Sequence, residues 1–363
     1  MNYFNQYCSN TLGGSGNQFF FGTDGKIETG RVYYRITAGG TFNYSILFSN
    51  VIDSTYSDGT VSHKNLICDS WDLISARVGH CTDVPNPEQE APEADHWKYL
   101  TFDGMESVTV QPGGFFASDA VPMEFEKGEY LCLEISFRGE MIPCHIESIL
   151  PVFRKEKDSW IYSKFLPVAS MVGCDLPVKA KIGYLGDSIT QGIGTAVNSY
   201  DHWNAVVSQM LGDEYAYWNL GIGFGRANDA ASDGAWLYRA KQNDLVVVCY
   251  GVNDIFRITS AEQTKKDLKE IVDKLHAAGV KVLLQTVPPF DYDESHGAIW
   301  REINRYILEE LSQQVEGTFD VVPVLGDENH PEKAKYGGHP DAAGCKAWAE
   351  ALYPVLKKTV EQL

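Results

Sequence analysis

The chain has few basic residues for its size, no long apolar stretch and no closely spaced cysteine pair. Of its 363 residues, 30 are lysine or arginine and 49 are aspartate or glutamate, so the formal net charge is −19. This charge argues against nucleic acid and anionic membrane surfaces as partners, because both repel an acidic protein. No apolar run approaches the roughly 20 residues that cross a bilayer, so no membrane-spanning segment is predicted.

The eight cysteines are scattered along the chain without a Cys-x-x-Cys pair. Their spacing predicts neither a zinc site nor a redox motif, so no metal is expected. The first eight residues lack a basic segment followed by an apolar one and do not resemble a secretory signal. We therefore expect a cytoplasmic protein, and the sequence predicts no particular oligomeric state.

Residues 1–150 consist of short alternating segments separated by glycine-rich turns. Residues 31–37 and 41–48 alternate between apolar and polar side chains, and two glycines lie between them. No amphipathic segment of helical length stands out in this region. Many short strands with such turns predict an all-β sandwich or jelly roll.

From about residue 178 the pattern changes to alternating strands and helices. Leu268, Ile271, Val272 and Leu275 have the i, i+3, i+4, i+7 spacing of a helix that packs on a sheet. This alternation predicts an α/β domain with a five-stranded parallel sheet, covered by helices on both faces. The predicted strands are residues 180–186, 215–220, 244–250, 280–287 and 319–324.

The length of the chain favours two domains over one. We predict a β-sandwich at residues 1–150 and an α/β domain at residues 178–363. Residues 151–177 contain a charged run at 154–158 and are predicted to be the linker.

An apolar run at residues 181–185 ends in Gly-Asp-Ser, which predicts a buried strand that presents Ser188 at its C-terminal end. Open α/β sheets build their sites at this edge. Ser188 is therefore the candidate nucleophile, and it needs a histidine to take its proton. The alternative is a serine that simply opens a helix. The surrounding sequence is not Gly-x-Ser-x-Gly, so the nucleophile elbow of the α/β-hydrolases is not predicted.

A candidate base lies near the end of the chain. His339 begins the segment His-Pro-Asp-Ala-Ala-Gly, and an apolar helical pattern follows it. A loop before such a helix can carry the imidazole to the C-terminal edge of the sheet. His330 is a competing candidate because it stands in an Asp-x-x-His-Pro segment. We favour His339, since only His339 leads into the glycine and the apolar helix.

A third motif, Gly-x-Asn253-Asp, lies between the segments of Ser188 and His339. In these motifs and their order, residues 178–363 resemble the GDSL/SGNH family of serine esterases and acylhydrolases. The resemblance implies that the Asn253 amide and the backbone N–H of Ser188 stabilise the oxyanion. The amide is suited to this role because it donates a hydrogen bond without being able to transfer a proton. The alternative for Asn253 is an ordinary turn at the end of a strand.

The family also implies a backbone N–H from a glycine five residues after an asparagine, a position that Phe224 occupies here. Gly225 or Gly223 is then expected to supply the donor. We favour Gly225, because the polar residues after it are typical of a helix start. The spaced glycines also suggest a dinucleotide loop, but the last glycine of Gly-x-Gly-x-x-Gly is missing.

The family usually places an aspartate three residues before the histidine, where this chain has Tyr336. In a serine protease triad, replacement of the corresponding aspartate by asparagine lowers kcat by about 10⁴. A backbone carbonyl, Asp327 or Asp341 is therefore expected to orient His339, and the residues do not decide among them. A weakly active site is the other interpretation.

The resemblance implies hydrolysis of an ester through an acyl-enzyme on Ser188, with no metal or organic cofactor. The β-rich half is similar to the jelly-roll domain that precedes the hydrolase domain in some carbohydrate esterases. A short acyl ester, such as acetyl on a sugar, is thus the expected substrate. Alternatives are a lysophospholipase or thioesterase of the same fold, and a catalytically degenerate glycan-binding protein.

Sugar contacts could come from three tryptophans, Trp71, Trp97 and Trp160, although core packing is the more common role. A flavodoxin-like nucleotide binder would need a lysine or arginine in the loop at 186–194, which has neither.

Overall fold

The chain folds into two units, one built from Met1–Thr55 and His63–Pro177 and the other built on Val178–Leu363. A computed structural model describes the chain over residues 2–14, 19–56, 62–145, 149–163, 166–167 and 169–363.

The first unit consists mainly of antiparallel strands, after a short helix α1 (Tyr3–Gln6). One sheet has the order β1-β16-β4-β10, with β11 also paired to β4, and the other has the order β15-β14-β3-β12-β7-β8, with β9 also paired to β7. Two further pairs are β13-β2 and β5-β6. The strands are β1 (Cys8–Ser9), β2 (Phe19–Phe21), β3 (Glu28–Arg35), β4 (Gly40–Ser49), β5 (Val51–Tyr56), β6 (Ser62–Ile67), β7 (Trp71–Cys81), β8 (Asp95–Tyr99), β9 (Val108–Val110), β10 (Phe115–Ala117), β11 (Val121–Phe125), β12 (Tyr130–Arg138), β13 (Ile142–Cys144), β14 (Val152–Glu156), β15 (Ser159–Tyr162) and β16 (Met171–Cys174).

The core of this unit lies between its two large sheets. Ile46 and Phe48 of β4 belong to the same buried cluster as Val32 of β3 and Leu133 of β12. The alternation seen in the sequence therefore buries one face of each sheet against the other, which confirms the predicted all-β sandwich.

The predicted linker at residues 151–177 is wrong. Strand β14 pairs with β3, and β16 pairs with both β1 and β4, so this segment completes both sheets of the sandwich. The charged residues that suggested a linker are the exposed end of the β14–β15 hairpin. Apart from this hairpin, the partner strands β1, β3 and β4 lie more than a hundred residues away, so no local pattern reveals the pairing.

The tryptophans considered for sugar contacts pack within the sandwich. Trp71 is 3% exposed in the core. The guanidinium of Arg31 lies 4.2 Å from the ring centre of Trp160 and 5.4 Å from that of Trp97, and the guanidinium of Arg77 lies 4.2 Å from that of Trp97. These cation–π contacts cover indole faces that a sugar would need, so the packing role describes them better.

The second unit contains a parallel sheet of the order β18-β17-β19-β20-β21, which confirms the predicted fold class. Its three central strands are buried along almost their whole length, as expected when helices cover both faces of a sheet. The strands are β17 (Lys181–Gly186), β18 (Ala216–Gly221), β19 (Leu245–Cys249), β20 (Lys281–Gln285) and β21 (Gly317–Phe319). The helices are α2 (Ser188–Gln191), α3 (Trp203–Leu211), α4 (Ala227–Ala231), α5 (Ala235–Ala240), α6 (Val252–Arg257), α7 (Ala261–Ala277), α8 (Glu294–Glu309), α9 (Val322–Leu325) and α10 (Ala342–Val360), with a 3₁₀ turn at Leu311–Gln314.

The first four predicted strands differ from the observed ones only at their ends, whereas the fifth is displaced. Residues 322–324, predicted as strand, lie in α9 (Val322–Leu325), and β21 ends at Phe319. Pro323 explains the difference, because a proline has no N–H for a strand ladder but fits the first turn of a helix. The predicted stripe of α7 is correct, since Leu268, Ile271 and Leu275 are all buried.

Candidate active site

Three adjacent strands bring the motif segments to one edge of the parallel sheet. Strand β17 lies between β18 and β19, and each of these strands ends just before one of the polar segments identified in the sequence. Because the strands are parallel, their C-terminal ends meet at the same edge. Ser188, the glycine-rich loop after β18 and Asn253 are therefore neighbours in space.

Ser188 is the first residue of α2, directly after β17. The preceding Asp187 caps this helix, with its carboxylate accepting a hydrogen bond of 3.0 Å from the backbone N–H of Ile189. As the first residue of the helix, Ser188 has a backbone N–H that the helix itself does not use. The serine thus combines a partly exposed hydroxyl with an available N–H at the strand end.

His339 contacts the serine from the loop before α10. Its Nε2 lies 2.8 Å from Ser188 Oγ, a hydrogen-bond distance between two residues 151 positions apart in the chain. Burial lowers the pKa of His339 below its usual value, so the imidazole is neutral at neutral pH and can accept the serine proton. Gly194 lies against this loop with φ of +104°, and a Cβ there would come within 2.8 Å of the His339 carbonyl oxygen.

His330, the competing candidate, does not occupy this position. Its side chain is 70% exposed and pairs with Glu332 at 3.6 Å. Asp327 accepts the backbone N–H of His330 at 3.0 Å in a local turn. The structure therefore brings His339, and not His330, to the serine.

The residues expected to orient His339 have other roles. Asp341 caps α10 by accepting the Gly344 N–H at 2.9 Å, and Asp327 caps its own turn. Tyr336 packs against Gly344, where an added Cβ would lie 2.6 Å from the tyrosine Cβ. Among the residues that the structure describes, no carboxylate lies within 4 Å of the His339 ring and no protein oxygen accepts a hydrogen bond from its Nδ1. Within the described ranges, the serine and histidine form a dyad without an aspartate partner.

Asn253 connects the other two loops. Its Nδ2 donates to the carbonyl of Gly225 at 3.1 Å and lies 3.5 Å from a carboxylate oxygen of Asp187. The second contact is at the limit of a hydrogen bond, so one hydrogen of the amide is only weakly engaged. Asn253 thus lies beside the serine loop with a donor that a substrate oxygen can take.

The glycine-rich loop differs from the expectation at Gly225. The Gly225 N–H donates to the carbonyl of Ile222 at 3.0 Å, which closes a turn and leaves this N–H unsuited to an oxyanion. Phe224 has φ of +60°, the left-handed conformation that favours glycine. Phe224 therefore stands where the resemblance places a glycine, and its backbone conformation is one typical of glycine. Gly223 forms other contacts, and nothing in the loop favours it over Phe224 as a donor.

Two aspartates for which the sequence predicts no role, Asp187 and Asp254, are buried beside the site. Burial raises the pKa of each to about 7. Asp254 accepts the backbone N–H groups of Ala227 at 3.0 Å and Asn228 at 3.4 Å, so it holds the start of α4 just after the glycine-rich loop. Both aspartates directly adjoin a motif residue in the sequence, and this adjacency is the signal that could have found them.

The described residues contain neither of two other kinds of feature, a metal centre and a membrane-spanning helix. No group of three or more histidine, cysteine, aspartate or glutamate side chains in the described part of the chain is arranged to hold a metal ion. No helix among the described residues is long and apolar enough to cross a membrane.

Comparison with known proteins identifies the family of the second unit. Residues 184–347 match the model of the GDSL-like lipase/acylhydrolase family. No curated protein matches the sequence.

Solved structures resemble about half of the chain. A carbohydrate acetylesterase family member from Sinorhizobium meliloti is 18% identical, with a TM-score of 0.40, over 50% of this chain and 99% of that one. A protein named TesA is 25% identical, with a TM-score of 0.41, over 49% of this chain and 99% of that one. A member of the lipolytic protein G-D-S-L family from Veillonella parvula DSM 2008 is 15% identical, with a TM-score of 0.40, over 49% of this chain and 98% of that one.

Proposed function

We propose that the protein hydrolyses short acyl esters with Ser188 as nucleophile and His339 as base. Residues 184–347 belong to the GDSL-like lipase/acylhydrolase family, so the protein is a carboxylic ester hydrolase. The observation that carries this proposal is the 2.8 Å contact between Ser188 Oγ and His339 Nε2 at the C-terminal edge of the sheet. A serine hydroxyl becomes a competent nucleophile only when a base at this distance takes its proton.

The first chemical step is attack of Ser188 Oγ on the ester carbonyl. His339 Nε2 accepts the hydroxyl proton as the new C–O bond forms, and the carbonyl oxygen becomes an oxyanion. The imidazolium then gives the proton to the leaving alcohol, and the acyl group stays on the serine. Water enters, His339 takes its proton, and hydrolysis of the acyl-enzyme returns the free serine.

Three donors are available for the oxyanion. The first is the Ser188 N–H at the start of α2, and the second is the weakly engaged hydrogen of the Asn253 amide. For the third we assign the backbone N–H of Phe224 in place of Gly225. Its φ of +60° supports this assignment, as does the lack of any described residue that accepts a hydrogen bond from its N–H. Backbone strain of this kind is concentrated at functional sites.

We propose an acetyl or similarly short acyl group on a carbohydrate as the substrate. The support is the arrangement of a β-sandwich before the hydrolase unit, which resembles some carbohydrate esterases. The acidic surface agrees with a neutral substrate, because a net charge of −19 disfavours anionic ones.

The test compares p-nitrophenyl acetate, butyrate and octanoate, each with the wild-type protein and with Ser188→Ala. We expect turnover to fall with chain length and to disappear in the variant. Acetylated mono- and oligosaccharides would follow, with released acetate as the readout. A preference for octanoate would instead indicate a lipase or thioesterase. No Ser188-dependent turnover on any ester would contradict the esterase proposal and make glycan binding the leading question.

A further inference from the structure

We propose that Phe290 positions His339 and so takes the place of the aspartate that is missing at Tyr336. Phe290 would act through the imidazole and would not touch the reacting atoms, so it is a positioning residue. The proposal rests on the proposed function, because it concerns how the base of that reaction is held.

The ring of Phe290 meets the imidazole in an edge-to-face arrangement. The two ring centres are 5.4 Å apart and the ring planes differ by 79°. Aromatic rings favour this geometry because the positive edge of one ring meets the negative face of the other. The contact restricts rotation of the imidazole about its own side-chain bond, and this rotation would move Nε2 away from Ser188.

Phe290 also packs on the backbone of the residue before the histidine. A Cβ built at Gly338 would lie 2.8 to 3.0 Å from three carbon atoms of the Phe290 ring. The ring therefore lies in space that any side chain at position 338 would take. Phe290 contacts both the backbone that carries His339 and the imidazole itself.

The Phe290 segment is held in place by its own contacts. Two prolines precede it, and the Val287 N–H donates to Asn304 Oδ1 at 2.7 Å. Trp300 Nε1 donates to the Val287 carbonyl at 2.8 Å. On its outer side Phe256 packs at 5.7 Å between ring centres. Proline restricts the backbone torsions, and the hydrogen bonds attach the segment to α8.

Two hydrogen bonds tie the Phe290 segment to the loop that carries the histidine. The Ala334 N–H donates to Asp291 Oδ1 at 3.0 Å, and Lys333 Nζ donates to the Tyr292 carbonyl at 3.0 Å. These bonds flank Phe290 on its C-terminal side and fix the distance between the two loops. An aspartate would hold the imidazole by one hydrogen bond. In this protein, packing between the Phe290 segment and the loop that carries His339 holds it instead.

The same packing keeps water from one face of the imidazole, in agreement with the lowered pKa of His339. Several titratable residues lie on the segments that carry or contact His339: Asp187, Asp291, Lys335, Tyr336 and Asp341. Within the described ranges, none of them forms an ion pair with the imidazole.

The main experiment measures kcat, KM and the pH profile of kcat/KM for Phe290→Ala, Phe290→Leu and Phe256→Ala. For Phe290→Ala we expect kcat to fall about tenfold with KM little changed, because one edge contact orients the base. The acid limb of the profile should also move to higher pH, since the imidazole becomes hydrated. Phe290→Leu keeps the apolar cover and loses the ring edge, so kcat should fall while the acid limb stays in place.

Phe256→Ala is the matched control, because Phe256 is 41% exposed and contacts Phe290 without contacting His339. Its kcat should fall by clearly less.

A rescue experiment separates positioning from general packing. Tyr336→Asp restores a carboxylate where the family has one. If Phe290 positions the base, this change should raise kcat severalfold in Phe290→Ala and have little effect in the wild type. The labelling rate of Ser188 by a fluorophosphonate should follow the same order, and it does not depend on the leaving alcohol. Thermal unfolding of each variant shows that it is folded.

Four outcomes would overturn the proposal. A kcat of Phe290→Ala equal to that of wild type, or to that of Phe256→Ala, would remove the positioning role and leave the esterase proposal intact. Equal effects of Tyr336→Asp on kcat in the wild type and in Phe290→Ala would likewise remove the positioning role and leave the esterase proposal intact. Absence of any Ser188-dependent turnover or labelling in the wild type would overturn both proposals together.

Discussion

The two units of this protein use polar side chains in opposite ways. In the sandwich, Asn10 is fully buried and fills all four of its hydrogen-bonding positions, with bonds to the backbone of Ala38, to Thr37 and to Tyr44. In the hydrolase unit, Asn253 is partly exposed and one of its donors makes only a contact of 3.5 Å. A polar side chain whose bonds are complete stabilises a fold, whereas spare capacity is available for chemistry.

The histidines give the same contrast and the largest expected effect. His339→Ala should lower kcat by about 10⁴ to 10⁶, because the serine loses its base. His80 in the sandwich bonds Glu129 at 2.7 Å, and His80→Ala should leave kcat unchanged. Ester hydrolysis by both purified variants tests this difference. Equal loss of kcat in both variants would break the comparison between the units.

The asparagines should separate catalysis from stability. Asn253→Ala should lower kcat by about 10² to 10³ through loss of an oxyanion donor. Asn10→Ala should leave kcat per folded molecule unchanged and lower the free energy of unfolding by roughly 3 kcal/mol, because its former partners stay buried without bonds. Urea unfolding with parallel kinetics measures both quantities. A large kcat effect at Asn10 would contradict the distinction.

Arg31 tests whether the sandwich depends on a buried charge network. Its Nε bonds Glu134 at 2.8 Å, and it lies between two indole rings. Arg31→Met should lower the free energy of unfolding by roughly 3 kcal/mol, near the lower end for a broken buried pair, because Arg77 still pairs with Glu134 at 2.7 Å. Activity per folded molecule should stay constant. Urea unfolding measures the change, and an equally stable variant would show that the network contributes little.

Asp254 sharpens the comparison through pH. Burial raises its pKa from 3.8 to about 7. Between these values the folded protein keeps a proton that the unfolded chain releases, so this residue makes stability fall as pH rises, by about 1.4 kcal/mol per pH unit. Asp254→Asn should remove that part of the slope.

Asp72 of the sandwich is the control for this titration. The hydrogen bond from Arg138 is the main cause that lowers the pKa of Asp72. The contribution of Asp72 to the free energy of unfolding is therefore present above the pKa that this residue has in the unfolded chain. It is lost as pH falls through the lower pKa of the folded state. Urea unfolding at several pH values should show opposite signs for Asp254→Asn and Asp72→Asn. Parallel slopes would contradict the assignment of Asp254 as a buried acid with a raised pKa.

The smallest expected effect concerns Phe224. If its backbone N–H is the donor, Phe224→Gly should leave kcat nearly unchanged and relieve about 1 kcal/mol of left-handed strain. Steady-state kinetics and thermal unfolding measure the two changes. A large fall in kcat would show that the phenyl ring, and not the backbone, is what the site needs.

The residues of the dyad could be predicted because each stands in a local pattern with a chemical meaning. Gly-Asp-Ser after an apolar run predicts an exposed serine at a strand end, and the helix after His339 distinguishes that histidine from His330. The oxyanion loop was predicted less well, because the left-handed backbone of Phe224 is normally a property of glycine. Sequence patterns report the common residue for a conformation, and this loop uses an uncommon one.

The amino-acid sequence by itself determined the α/β class of the second unit, the order of its motifs and the choice of Ser188 and His339 as the proposed nucleophile and base. These depend on periodicity and on short segments, which act over a few residues. Only the tertiary structure decided that residues 151–177 close the sandwich, that His339 has no carboxylate partner among the described residues, and that Phe290 lies against its ring. Such contacts join residues that are tens to more than a hundred positions apart, and chain folding alone brings them together.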